Sequence, residues 1–234
     1  MSFDYKIIRS EKRKTIALQI KNNEVIVRVP TCTSLTFIQT IIKEKTPWIL
    51  EKLATLKQKP SPIVPNYLPN SPILINGNEK KLCVSYQKQT AIAITEQEFK
   101  LILPLFVQKK STELNYLTEQ IKKYLARWMK EQAEAYLENR LGELSAQLSL
   151  VPTSYKVRRY KARWGSCNNK HELSFNYLLA MTPDWVFDYV IIHELCHIKH
   201  LNHSAKFWAL VKNHMPNYQD ASHWLKKNQH KMHW

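Results

Sequence analysis

Apolar and polar residues alternate through the first thirty positions of the chain. Tyr5 to Arg9, Thr15 to Lys21 and Glu24 to Val29 each carry β-branched alternation, which predicts three strands. Lys21-Asn22-Asn23-Glu24 is the expected turn between the last two, and Pro30 closes the third. The period then becomes helical. Phe37, Ile41, Ile42, Trp48, Ile49 and Leu53 predict a helix from about Leu35 to Leu56, interrupted or kinked at Pro47. Pro60, Pro62, Pro65, Pro69 and Pro72 follow closely enough to make this stretch a connector without regular structure.

Strands are expected again at Ile73 to Ile75, Lys81 to Tyr86 and Thr90 to Ile94, with Asn76-Gly77-Asn78 as a turn. Residues 1–107 therefore read as an N-terminal mixed β-sheet and helix lobe, and residues 108–234 as a second domain. From Glu113 apolar residues recur at three and four, through Leu117, Ile121, Leu125, Met129, Leu137, Leu141 and Leu144. An unbroken helix to Leu148 would be about 54 Å long, so a break at Gly142 or elsewhere is expected to shorten it. Tyr155 to Tyr160, Arg163 to Ser166 and Leu173 to Leu178 read as strands, with a turn over Asn168 to His171. The chain class is α+β.

One apolar run carries chemistry. Ile191-Ile192-His193-Glu194-Leu195-Cys196-His197 places His-Glu-x-x-His within a buried helix, with Thr182 as its cap and Pro183 as its first residue. Residues four apart share a helical face, so His193 and His197 can offer imidazoles to one metal ion. Glu194 stands beside them as a base for metal-bound water. Imidazole nitrogens suit Zn²⁺, and a third protein ligand would leave one position for water. His200 lies roughly 10 Å along the axis from His193, too far for a zinc ion unless the helix ends early. His203 is the expected third ligand: the chain can leave the helix near Leu201-Asn202, and Ser204 then caps a second helix from Ala205 to Asn213.

Arg163-Trp-Gly-Ser-Cys167, Leu173-Ser-Phe-Asn176, Asp188 to His200, Asn202-His-Ser-Ala-Lys-Phe-Trp208 and Met215-Pro-Asn-Tyr218 resemble the YgjP-like metallopeptidase domain family, relatives of the SprT and WLM zinc-peptidase groups. The resemblance implies a zincin-like metallopeptidase domain in which His193, His197 and His203 bind the metal and Glu194 is catalytic. It also implies a long helix packed against the metal-binding one. Metzincin peptidases share the ligand spacing but have glycine where this chain has His200, which separates it from them.

The chain carries 35 Lys and Arg against 19 Asp and Glu, a net charge of +16. Residues 1–110 hold the more basic balance. Such a charge favours an anionic partner such as nucleic acid or nucleotide without choosing among them. Cys32, Cys83, Cys167 and Cys196 show no paired spacing, and no apolar run reaches membrane-spanning length. A cytoplasmic, reduced protein without a membrane partner is expected.

Lys161 and Arg163 are candidates for a substrate carboxylate or phosphate, or for pairing with Asp184 or Asp188. Tyr218, His214 and His223 are candidate oxyanion or substrate contacts. Gly165 permits a close backbone approach, and Trp164 reads as packing. Cys167 near His171 lacks an orienting third group and is not expected to act as a nucleophile. The leading reading is a zinc peptidase acting on peptide or unfolded protein. Two others stand behind it: metal-dependent hydrolysis of nucleoside triphosphates to monophosphate and pyrophosphate, which the resemblance also implies, and a non-enzymatic basic nucleic-acid binder with structural zinc.

Overall fold

Alternation in the first thirty residues gives strands β1 (Tyr5–Ser10), β2 (Ala17–Lys21) and β3 (Glu24–Pro30), arranged in the order β1-β3-β2. The computed structural model describes residues 3–21, 24–58 and 66–232. β1 runs parallel to β3 and β2 antiparallel to it, with Lys21 opposite Glu24. Asn22 and Asn23 of the expected turn lie outside the described residues, as do Pro60, Pro62 and Pro65 of the expected connector. Val25, Val27 and Val29 are buried at every second position and share a core with Ile38, Ile42 and Ile49 of helix α1 (Leu35–Gln58). α1 runs through Pro47 without interruption, contrary to expectation. Proline removes one backbone donor, while Ile42 and Ile49 on either side of it stay buried in the core.

A second compact unit spans Ile63–Trp234. Its first sheet is β4 (Pro72–Ile75), β5 (Asn78–Gln87), β6 (Ala91–Ile94) and β7 (Glu98–Pro104), in the order β4-β5-β7-β6. β7 was not foreseen, although Phe99, Leu101 and Leu103 alternate and are fully buried. After the short α2 (Leu105–Gln108), α3 (Leu114–Leu148) runs unbroken for 35 residues. Gly142 does not end it: a buried stripe from Leu117 to Leu148 continues on both sides of that glycine, and nothing crowds it. Where the sequence reading ended a lobe at Val107, the compact units divide at Pro62 and Ile63. Ile73, Leu82, Phe99, Leu101 and Val107 belong to one hydrophobic core with α3 and the elements that follow.

The remaining elements hold the histidines. β8 (Ser154–Arg158), β9 (Gly165–Cys167) and β10 (Glu172–Asn176) form a sheet in the order β8-β10-β9, so β9 is an edge strand. A 3-10 turn over Tyr177–Met181 leads into α4 (Asp184–Lys199), followed by α5 (Ala205–His214) and α6 (Tyr218–Asn228). Pro183 is the N-cap of α4, one place later than expected; Thr182 closes the 3-10 turn instead, its hydroxyl donating to the Leu179 carbonyl at 2.7 Å. The whole is a mixed α/β structure with three small sheets and six α-helices among the described residues.

Two contacts seat α4. The β4–β5 turn has Asn76 and Gly77 at φ of 48° and 77°, and the Gly77 N–H donates to the Met181 carbonyl at 2.8 Å. A Cβ at Gly77 would collide with the Pro183 ring, so glycine is required by both conformation and space. One turn further along, the Asp188 carboxylate accepts from Arg140 Nε at 3.1 Å and Nη2 at 2.9 Å, and from the Tyr136 hydroxyl at 2.9 Å, clamping α4 to α3. Asp188 therefore pairs with Arg140, not with Arg163 or Lys161.

Candidate metal centre

His193 and His197 lie one above the other on α4, and the chain turns back to bring His203 against them. α4 stops because His200 adopts an extended backbone (φ −135°, ψ 99°), while its N–H still closes the helix onto the Cys196 carbonyl at 3.1 Å. The exit therefore precedes Leu201 and Asn202, and Asn202 is not left-handed. Ser204 caps α5 as expected, accepting from the Phe207 N–H at 3.5 Å. One ligand-type nitrogen from each of His193, His197 and His203 falls within 4.8 Å of the others. His200 contributes its carbonyl, which accepts from His197 Nδ1 at 2.9 Å. That bond fixes the proton on Nδ1 and leaves the Nε2 lone pair of His197 free.

These donors suit a metal ion. His193 Nε2 and His203 Nε2 stand 3.0 Å apart, a spacing at which they either share a proton or turn both lone pairs to one cation. Burial, reinforced by His197 and His203, holds the His193 pKa down to about 3, so its imidazole is neutral as a ligand must be. Burial likewise lowers that of His197, against the opposing effect of the His200 carbonyl.

Glu194 follows His193 and is only 5% exposed. Burial pushes its carboxyl up to about 8, although the charge of Arg163 opposes the rise. Its Oε2 is buried with no hydrogen-bond partner among the described residues. Such an unmatched acceptor beside three converging imidazoles is what a site for an activated water requires. Gly165 on β9 packs directly on this side chain: a Cβ there would lie 2.5 Å from Glu194 Oε1. The close approach expected of Gly165 is thus to the candidate base. The buried amide of Asn176 seats β9, donating to the carbonyls of Tyr160 and Arg163, each at 3.1 Å.

The cleft over these residues has a volume of about 490 Å³. Arg163, Trp164 and the β9 residues line it, as do Tyr189 of α4 and Ser222, Lys226 and Gln229 from α6 and just beyond it. Arg163 also stands over the Tyr160 ring at 5.5 Å. Lys161, Tyr218, His214 and His223 do not line the cleft. Tyr218 instead stacks on Tyr189 and Trp208. Tyr189 was missed by the sequence reading, although it lies four residues before His193 on the same helical face. Cys167 lines the cleft as a thiol, its pKa pushed up to about 11 by burial and then by Glu194, which disfavours a thiolate nucleophile.

A comparison with curated proteins finds no match. Residues 14–228 match the family described as YgjP-like, metallopeptidase domain. With most of its length so matched, the chain belongs to the YgjP-like metallopeptidase domain family, a membership that implies a metal cofactor and a hydrolytic reaction.

Proposed function

We propose that the protein is a zinc-dependent peptidase of zincin-like architecture, with His193, His197 and His203 as metal ligands and Glu194 as general base. The observation that carries this reading is the convergence of three imidazoles beside a buried carboxylate with one unmatched oxygen. Three nitrogens and an open fourth position are the donor set of a catalytic zinc. When bound, zinc would supply a Lewis acid that lowers the pKa of a water molecule and polarises the scissile carbonyl.

The protein's own groups do the rest. Glu194 takes a proton from the attacking water and returns it to the leaving amine. Arg163, whose charge reaches Glu194, is the cation placed to meet developing negative charge or a substrate carboxylate. β9 pairs with β10 alone among the described strands, and all three of its residues line the cleft. An extended peptide can add to that edge through backbone hydrogen bonds, which gives binding that tolerates many sequences. All four cysteines are free, in keeping with a cytoplasmic, reducing environment.

Hydrolysis of nucleoside triphosphates is the second reading, favoured by Arg163 and Lys226 in the cleft walls. It is weaker because the histidine triad is the one candidate metal group among the described residues, and no carboxylate cluster for Mg²⁺ accompanies it. A binding-only role leaves the buried carboxyl of Glu194 without a use. The zinc reading is tested by elemental analysis of protein purified without added metal. About one equivalent of zinc per chain is expected, largely lost in His193→Ala. A fully active protein devoid of metal would overturn it.

A further inference from the structure

Trp208 stands against the one imidazole of the triad that no helix holds. His203 lies in the turn between α4 and α5 and is exposed. Metal-binding imidazoles are usually oriented by a hydrogen bond from their second nitrogen. Of the three rings here, His197 has such a bond, to the His200 carbonyl. Among the described residues His193 Nδ1 is buried with no partner, and the His203 ring's hydrogen-bond contact is the one to His193.

Aromatic surface surrounds the rings instead. The Trp208 indole stacks on His203, with centroids 5.5 Å apart and planes 22° apart, and meets His193 edge-on at 5.7 Å. Phe207, fully buried, stacks on His197 at 4.4 Å and 25°. Tyr218 of α6 stacks on Trp208 at 5.3 Å and 20°, and so braces the indole from a second element.

The pairing follows from the way α5 begins. With Ser204 as N-cap, His203 occupies the position before the cap and Trp208 the fourth helical position. These are the two positions that pack together in a hydrophobic staple, which sets the angle at which the chain joins a helix. In this protein the outer member of the pair is an imidazole of the triad. We infer that Trp208 is a positioning residue: as the inner half of the staple it fixes the His203 ring with Nε2 facing His193, before any ion arrives. Orienting an exposed turn residue in advance lowers the entropic cost of binding at that ligand. The inference rests on the triad being the metal site.

A double-mutant cycle tests it, with Zn²⁺ affinity measured by competition with a chromophoric chelator. Trp208→Leu should weaken zinc about tenfold or more in the chain with His203, yet by less than about twofold in the His203→Ala background, since a residue acting through His203 has nothing left to orient there. Trp208→Phe, which keeps a ring at the staple position, should recover most of the loss. The melting of each variant after chelator treatment reports folding. If Trp208→Leu does not fold, the more adaptable Trp208→Met takes its place in the same cycle. Equal losses in both backgrounds, wild-type affinity in Trp208→Leu, or a Trp208→Phe variant as weak as Trp208→Leu would each overturn the inference. Failure of the unaltered chain to bind zinc would instead overturn the metal site itself.

Discussion

Glu194 combines two demands that oppose each other, burial against charge. Its carboxyl titrates near 4.5 in the unfolded chain and near 8 in the folded, metal-free one, because burial disfavours the anion. Between those values the folded state holds a proton that the unfolded state has lost. Stability from this group is complete below pH 4.5 and falls as pH rises through 8. Thermal melts of chelator-treated protein should therefore show Glu194→Gln gaining on the parent as pH rises from 5 to 8, by on the order of a few kcal/mol. An identical gap at the two pH values would contradict the burial argument. Gly165 is the companion residue. A methyl group there would displace Glu194 from its present position, so Gly165→Ala should keep zinc and lose activity by about tenfold or more, as misplaced catalytic groups do. Unimpaired turnover in that variant would show that the carboxylate does not need its present seat.

At the scale of elements, the turn between α4 and α5 does the positioning. His203 reaches the other two imidazoles because α4 ends at an extended His200, and His200 itself contributes its carbonyl to His197. His203→Ala should thus weaken zinc by about 100-fold or more, as removal of a ligand does, while His200→Ala, which keeps that carbonyl, changes it little. The reverse order in a chelator competition would mean that the helix end is misassigned. Much here was legible in advance. Histidines four apart on an apolar helix, and a serine ready to cap the next one, follow from spacing alone. The exit expected near Leu201-Asn202 falls one place earlier, at His200, because that residue's extended backbone conformation is not set by spacing. Tyr189 shares the face of His193, but only the packing of α6 across it makes it a cleft wall. Pro47 and Gly142 misled for a common reason: both sit in helices whose buried stripes continue past them, and tertiary burial outweighs a single breaker.

At the scale of the whole molecule, the chain forms two compact units, Met1–Pro62 and Ile63–Trp234, with separate cores among the described residues. A run of strands followed by a long helix resembles a domain change, which is why the sequence alone predicts a division near Val107. Phe99 and Leu101 on β7, packed in one core with α3, are what join them. No helix among the described residues is long and apolar enough to cross a membrane. On the proposed reading the substrate is peptide, and the net charge of +16 with Arg163 and Lys226 at the cleft is what keeps a polyphosphate as its competitor. The most direct test gives zinc-loaded protein and its Glu194→Gln variant a diverse unstructured peptide library and a panel of nucleoside triphosphates, with products followed by mass spectrometry. The account predicts peptide cleavage by the parent, reduced roughly 100-fold or more in Glu194→Gln while zinc is retained. Pyrophosphate release without peptide cleavage, or peptide cleavage undiminished in Glu194→Gln, would contradict it.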